Sequence, residues 1–409
     1  MNLDIDFLDS ANWDASMDAR WGWLRHNDPV HWSEKSQLWV ITRYEEVSYV
    51  SKHQELFTSA EGVRPGNPTK LSLIDEGEPR HGQMRRWINR GFTPRRVAKL
   101  AIPFRGLVTD AIDRVAPLGE CDFVEDIAVP MPLLLIAEMI GIRKEDRERF
   151  HRWSDAMIAA EGNRHRPEFM QAAAQAFLEY STYVTEIIED RRRNPRDDLV
   201  SILVGAKDEG LLHEIEGEAA VVLTELIDAE PMANDELIML LVLLLVAGNE
   251  TTRNGISGGM QLLIENPGER QKLIDDPNLI PAAVEEMVRL VSPVRSFGRT
   301  VTGDTDLHGR RLLAGQKVLL VYPSANRDEE VFEDPDRFRI ERNPQHLGFG
   351  IGNHFCLGAN LARMEMRIAF EELLRRLPDM EYSRGGPELA PSALVRTCRH
   401  MYVRFTPEA

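Results

Sequence analysis

The chemistry this chain could carry is concentrated around one cysteine. Cys356 lies in His346-Leu347-Gly348-Phe349-Gly350-Ile351-Gly352-Asn353-His354-Phe355-Cys356-Leu357-Gly358. Three glycines precede it at two-residue intervals, and a fourth follows. Glycines at that density allow a bent backbone and the close approach of a flat ligand. A helix then opens through Asn360-Leu361-Ala362-Arg363. A cysteine at a helix start faces backbone N–H groups and the positive end of the dipole, which favours thiolate. A thiolate can attack a substrate or bind a metal. No second ligand lies at zinc spacing, because His354 and Cys356 are only two apart. The second candidate is Glu250-Thr251-Thr252, at the end of an apolar run. A carboxylate and two hydroxyls there are costly unless they are used or well bonded. The Thr251 hydroxyl can bond the carbonyl four residues back, at Ala247, and bend the helix.

These residues need elements to hold them. The run Leu237 to Ala247 has 11 apolar residues, against about 20 for a membrane span, so it reads as a buried helix. Asn234-Asp235-Glu236 and Thr93-Pro94 are helix starts. Helical spacing recurs over Arg96 to Val115, Met131 to Ile142, Pro167 to Arg193 and Met364 to Leu377. Short strands are expected at Val30-His31-Trp32, Leu38 to Thr42 and Lys317 to Val321. The fold class is mainly α with a small β part, read as one domain over 1–409.

The composition excludes other classes. The chain has 409 residues, with 49 Lys plus Arg against 66 Asp plus Glu, a net charge of −17. That acidity disfavours nucleic acid and anionic membranes as partners. Three cysteines, Cys121, Cys356 and Cys398, are too few for a disulfide framework. Acidic residues stand where a signal peptide needs bases. The expectation is a cytoplasmic protein with reduced thiols and no membrane span. The segment 208–236 carries ten acidic residues and no Lys or Arg, and reads as a solvated loop with one short packed element.

A single thiolate framed by glycines suits the axial position of a haem, whose porphyrin supplies the other four ligands. The phrase Phe349-Gly350-x-Gly352-x-His354-x-Cys356-x-Gly358 resembles the haem-ligand loop of the cytochromes P450. Ala247-Gly248-Asn249-Glu250-Thr251-Thr252 resembles the oxygen-activating helix of that family. The resemblance implies the P450 fold, with haem b between a long central helix and the Cys-loop helix. It implies Cys356 as iron ligand, with Phe349, Gly350 and Gly358 around it. It implies His81, Arg85, Arg299 and His354 as propionate partners, and Glu250 and Thr251 as a proton-delivery pair. Leu243, Val246, Ala247, Val294, Phe297, Leu394 and Val395 match pocket positions, and their apolar character favours a lipophilic substrate. Glu286 and Arg289 share a helix face and match a structural network whose second arginine would be Arg337.

The activity so implied is a monooxygenase using O2, with electrons from NAD(P)H through a reductase and a ferredoxin, or less often a flavodoxin. Arg86, Arg90, Arg95, Arg96, Lys99, Arg363 and Arg367 form a candidate basic patch for such an acidic carrier. Gly62 to Pro68 and Leu71 to Asp75 look similar to bacterial P450s that oxidise steroid side chains, with terpenoid, fatty acid and polyketide as other options. Three alternatives stand beside this reading. A peroxide-driven peroxygenase has no need of the Glu250–Thr251 relay. A non-catalytic haem or lipid carrier has no need of buried proton donors. A cysteine-nucleophile transferase needs a base near Cys356, and His354 lies close to it in sequence for that role.

Overall fold

A computed structural model of the chain describes residues 3–66, 70–161, 166–205 and 234–408. The acidic stretch expected as a loop lies outside these residues up to its last three positions, and so do Asn67 and Pro68.

The helices follow the periodicity closely. We label α1 Arg80–Ile88, α2 Pro94–Val115, α3 Pro130–Ile140, α4 Arg147–Glu161, α5 Pro167–Arg193, α6 Asn234–Glu265, α7 Ile280–Val291 and α8 Ala359–Arg376. Thr93 starts α2 as its residue type suggests: its hydroxyl accepts from the Arg96 N–H, with Pro94 in the first turn. The Met364 to Leu377 pattern belongs to a helix that starts earlier, at Ala359, directly after the cysteine loop.

The three expected strands are present. They join a five-stranded sheet with β1 Val30–Ser33, β2 Leu38–Ile41, β3 Phe57–Thr58, β4 Ser296–Val301 and β5 Lys317–Val321 in the order β1-β2-β5-β4-β3. Only the β2–β5 pairing is parallel. A separate hairpin pairs β6 Glu388–Ala390 with β7 Thr397–His400. Its turn is tied to the residues before β4 by an isolated bridge between Val294 and Val395.

The long helix α6 sits at the centre and packs against α3, α5, α7 and α8. Leu237, Leu240, Leu241 and Leu245 are fully buried in the main apolar core. Leu243, Leu244, Val246 and Ala247 instead face a large internal cavity. One stripe of α6 therefore lines that space while the rest of the helix is fixed by packing. Gly248 does not open the helix, which continues through it. A side chain there would collide with Ile136 of α3, 2.5 Å from the added carbon, so Gly248 serves close helix packing. Among the described residues no helix is long and apolar enough to cross a membrane.

Candidate active site

The cavity holds about 1300 Å3 and lies between α6 and the loop leading into α8. Pockets for one drug-sized ligand reach about 1,000 Å3, so there is room for a cofactor and a substrate together. Its walls include Cys356, Phe349, Gly350, Gly358, His81, Arg85, Arg299, His354, Glu250 and Thr251. They also include Leu243, Val246, Ala247, Val294, Phe297, Leu394 and Val395. Residues far apart in sequence thus meet around one space.

The cysteine loop is shaped by its glycines. Gly350 and Gly352 adopt φ of 69° and 77°, the left-handed region that other residues enter at a cost. At Gly352 an added carbon would also lie 2.6 Å from the Ser51 carbonyl oxygen. An added carbon at Gly358 meets nothing within 4 Å, because the residue faces the open cavity. Cys356 N–H donates to the Phe349 carbonyl at 2.8 Å and closes the loop. The exposed surface of Cys356 belongs to the cavity, not to bulk water. Burial accordingly pushes its thiol above the ordinary range, although the Gly358 N–H, Arg85 and Arg363 pull the other way. A metal cation held by this sulfur would favour the thiolate further.

Among the described residues around the loop, the bases outnumber their acidic partners. Arg299 is buried on β4, where its Nη1 donates to the Gly298 carbonyl at 2.7 Å. The His81 and His354 rings pack with centroids 3.9 Å apart and planes tilted by 31°. His81 Nδ1 faces Glu78 at 3.1 Å, while its buried Nε2 has no partner. His354 Nε2 lies 3.1 Å from Ser59, and burial, Arg299, His81 and Arg85 together push its pKa down to about 2. Arg85 donates to the Phe355 carbonyl. An orphaned imidazole and a buried guanidinium beside an accessible thiol fit an anionic, flat, sulfur-ligated group.

On the opposite wall, Thr251 Oγ1 donates to the Ala247 carbonyl at 2.7 Å, as its spacing predicts. Glu250 is buried, and burial raises its pKa despite the opposing effects of Arg253 and Asn254. Asn254 Nδ2 donates to Glu250 Oε1 at 2.9 Å. Arg253 Nη2 approaches Oε2 to 2.6 Å, at an angle that leaves Oε2 without a directed hydrogen bond. Arg253 and Asn254 were legible as candidates three and four residues beyond Glu250, on the same helix face, but were not singled out. Glu365 was missed as well. It lines the cavity from α8 and is 2% exposed, and burial pushes its carboxyl up to about 8 against a bond with Thr252. The signal was a carboxylate on an otherwise apolar helix face.

One expected role is reassigned. Glu286 and Arg289 form a buried bidentate pair at 2.7 and 2.8 Å. The second arginine on Glu286 is Arg342, at 2.9 Å, and not Arg337. The Arg337 side chain is exposed, and the residue contributes only its carbonyl. Chain direction explains this: the turn after Phe338 brings Arg342 back over the α7 carboxylate. Arg289 also donates to the Asn326 carbonyl, and Asn326 Oδ1 accepts the Leu347 N–H at the root of the cysteine loop. The basic patch is narrower than its sequence suggests. Arg96 and Lys99 pair with Asp197, Arg363 with Glu285, and Arg367 with Glu371.

A cysteine loop beneath a long buried helix, flanked by uncompensated bases, defines a haem-thiolate protein. A family model described as Cytochrome P450 matches residues 164–390. The chain is 39% identical to a steroid C26-monooxygenase of Mycobacterium tuberculosis, over 99% of this chain and 98% of that protein. It is 37% identical to a methyl-branched lipid omega-hydroxylase of Mycobacterium bovis, over 93% and 88%. Its fold matches a cytochrome P450 of Bacillus megaterium solved with testosterone, with TM-score 0.83, 33% identity and coverage of 95% and 98%. The chain belongs to the cytochrome P450 family and is a P450 monooxygenase, which uses haem b held by a cysteine thiolate.

Proposed function

We propose that the chain hydroxylates a steroid or methyl-branched lipid, with Cys356 as the thiolate that would hold the haem iron. When bound, the haem supplies dioxygen activation and C–H oxidation. His81, Arg85, Arg299 and His354 would hold its propionates through charge-assisted hydrogen bonds. Leu243, Val246, Ala247, Val294, Phe297, Leu394 and Val395 offer an apolar wall that orients a lipophilic substrate and excludes water. Thr251 holds a hydroxyl at the cavity surface, and Glu250 behind it supplies protons. Electrons would come from NAD(P)H through a reductase and a ferredoxin or flavodoxin. Arg86 is exposed and is the part of the basic patch that would meet such an acidic carrier.

The observation that carries this reading is that the thiol, the bases, Thr251 and the apolar residues all line one cavity. The steroid and branched-lipid classes rest on the named relatives. The test is a titration of the ferric holoenzyme with cholesterol, testosterone and a methyl-branched fatty acid. A low- to high-spin shift with cholesterol or the fatty acid is expected. A wild-type protein whose reduced CO complex lacks the thiolate band, or Cys356→Ala retaining it, would refute the ligand assignment. No response to any of the three lipids would refute the substrate class.

A further inference from the structure

Asn254 stands one turn beyond Glu250 and is fully buried. Its amide nitrogen donates to Glu250 Oε1 at 2.9 Å and to the Glu250 main-chain carbonyl at 2.7 Å. Its amide oxygen accepts the Cys398 main-chain N–H at 2.9 Å. That orientation is set by chemistry, because a main-chain N–H can only donate and so must face the oxygen. Cys398 lies on β7, in the hairpin whose turn carries Leu394 and Val395 on the cavity wall. The turn is also tied down by Arg295 N–H to the Leu394 carbonyl and Arg396 N–H to the Pro293 carbonyl, both at 2.8 Å. Thr397 of β7 lines the same cavity. One buried amide therefore joins the wall that a substrate would touch to the carboxyl behind Thr251. Arg253, the other group on Glu250, is carried by α6 itself and makes no such link.

We propose that Asn254 is a positioning residue that couples occupancy of the cavity to the orientation of Glu250. A lipophilic molecule pressing on the Leu394–Val395 turn displaces β7, and the Cys398–Asn254–Glu250 bonds carry that displacement to the carboxyl. The empty and filled cavities then present the proton donor differently, which limits reduction of oxygen without substrate. This rests on the reading of Glu250 as proton donor.

The test uses the ferric holoenzyme saturated with cholesterol, as its spin shift reports. Infrared difference spectra are recorded with and without cholesterol, and the Glu250 carboxyl band is assigned by its loss in Glu250→Gln. Cholesterol is expected to shift that band in the wild type. In Asn254→Leu the band moves to a new position and no longer responds. The cholesterol-induced spin shift is kept, while product formed per NADH falls about tenfold, as for a misplaced catalytic group. A wild-type band unmoved by cholesterol overturns the coupling. So does an Asn254→Leu product yield within about twofold of wild type, far short of what a general acid contributes. If Asn254→Leu fails to retain haem, the wild-type infrared result decides. Full product yield in Glu250→Gln would instead remove the reading of Glu250. Loss in Glu250→Gln with normal yield in Asn254→Leu removes only the inference about Asn254.

Discussion

Replacing the arginines around Glu286 one at a time should separate the network from its neighbours. Glu286 and Arg289 are both 0% exposed. Arg289 also donates to the carbonyls of Asn326 and Pro335, at 2.8 and 2.7 Å. Arg289→Met strips Glu286 of its bidentate partner and orphans those carbonyls, which should cost about 3–5 kcal/mol, the range for one broken half of a buried pair. Arg342→Met removes one charge contact and three carbonyl contacts near the surface. Glu286 keeps Arg289, so about 1–3 kcal/mol is expected. Arg337→Met removes an exposed side chain while its carbonyl stays, so the change should stay within about 0.5 kcal/mol. The assay is urea unfolding of the haem-loaded protein followed by tryptophan fluorescence, with unchanged m-values as the check on two-state comparison. Arg289→Met should also lose the thiolate CO band first, because Asn326 joins the network to the cysteine loop. Destabilisation by Arg337→Met equal to that by Arg342→Met would refute the reasoning.

Two carboxylates should respond to pH with opposite signs. Glu365 has its pKa raised from 4.5 to about 8, so the folded state holds the proton more tightly and stability falls as pH rises through that interval. Glu365→Gln should stabilise by a few kcal/mol at pH 9 and by little at pH 5, read as the shift in urea midpoint; an equal effect at both pH values would count against it. For Glu285, burial pushes the carboxyl up, but Arg363 and His346 overcome it and hold it at about 2. Its contribution is present above about pH 4.5 and is lost as pH falls toward 2, so Glu285→Gln should cost about 2 kcal/mol at pH 7 after discounting solvent screening, and nothing near pH 2.

The site was more legible than the reasons it works. Cys356, Glu250 and Thr251 carry short-range patterns, since glycine spacing and a hydroxyl four residues from a carbonyl depend on local backbone geometry. The helices were legible for the same reason, because α5 buries one face at helical spacing from Ala176 to Ile188. Arg337 and Arg342 lie five residues apart in an irregular turn, where no period says which one returns to Glu286. The bond from Cys398 to Asn254 spans 144 residues and uses a main-chain donor, which leaves no trace in residue type. The basic patch is narrowed because two of its acidic partners, Asp197 and Glu285, come from elsewhere in the chain. Counting cations along a sequence omits the anions that folding brings to them.

That omission reverses inside the cavity, where folding brings cations together without anions, and the consequence can be measured at Arg299. The residue is 4% exposed, and burial lowers its pKa against the opposing effects of Tyr322 and Asp75. A buried charge without a paired counter-charge destabilises the fold that carries it. In the haem-free chain Arg299→Leu therefore removes a burden and should stabilise, by on the order of 1–3 kcal/mol. In the haem-loaded protein the same change removes a propionate partner, leaves an anion unpaired and should destabilise by a similar amount. The sign of the effect should thus invert with cofactor occupancy, and haem loss to a scavenging apo-globin should quicken. Urea unfolding of both forms checks this, and the same sign in both would show that Arg299 is already compensated within the chain. An inverted sign would mean that part of the stability of the fold is supplied by the ligand it was built around, through binding to the native state alone.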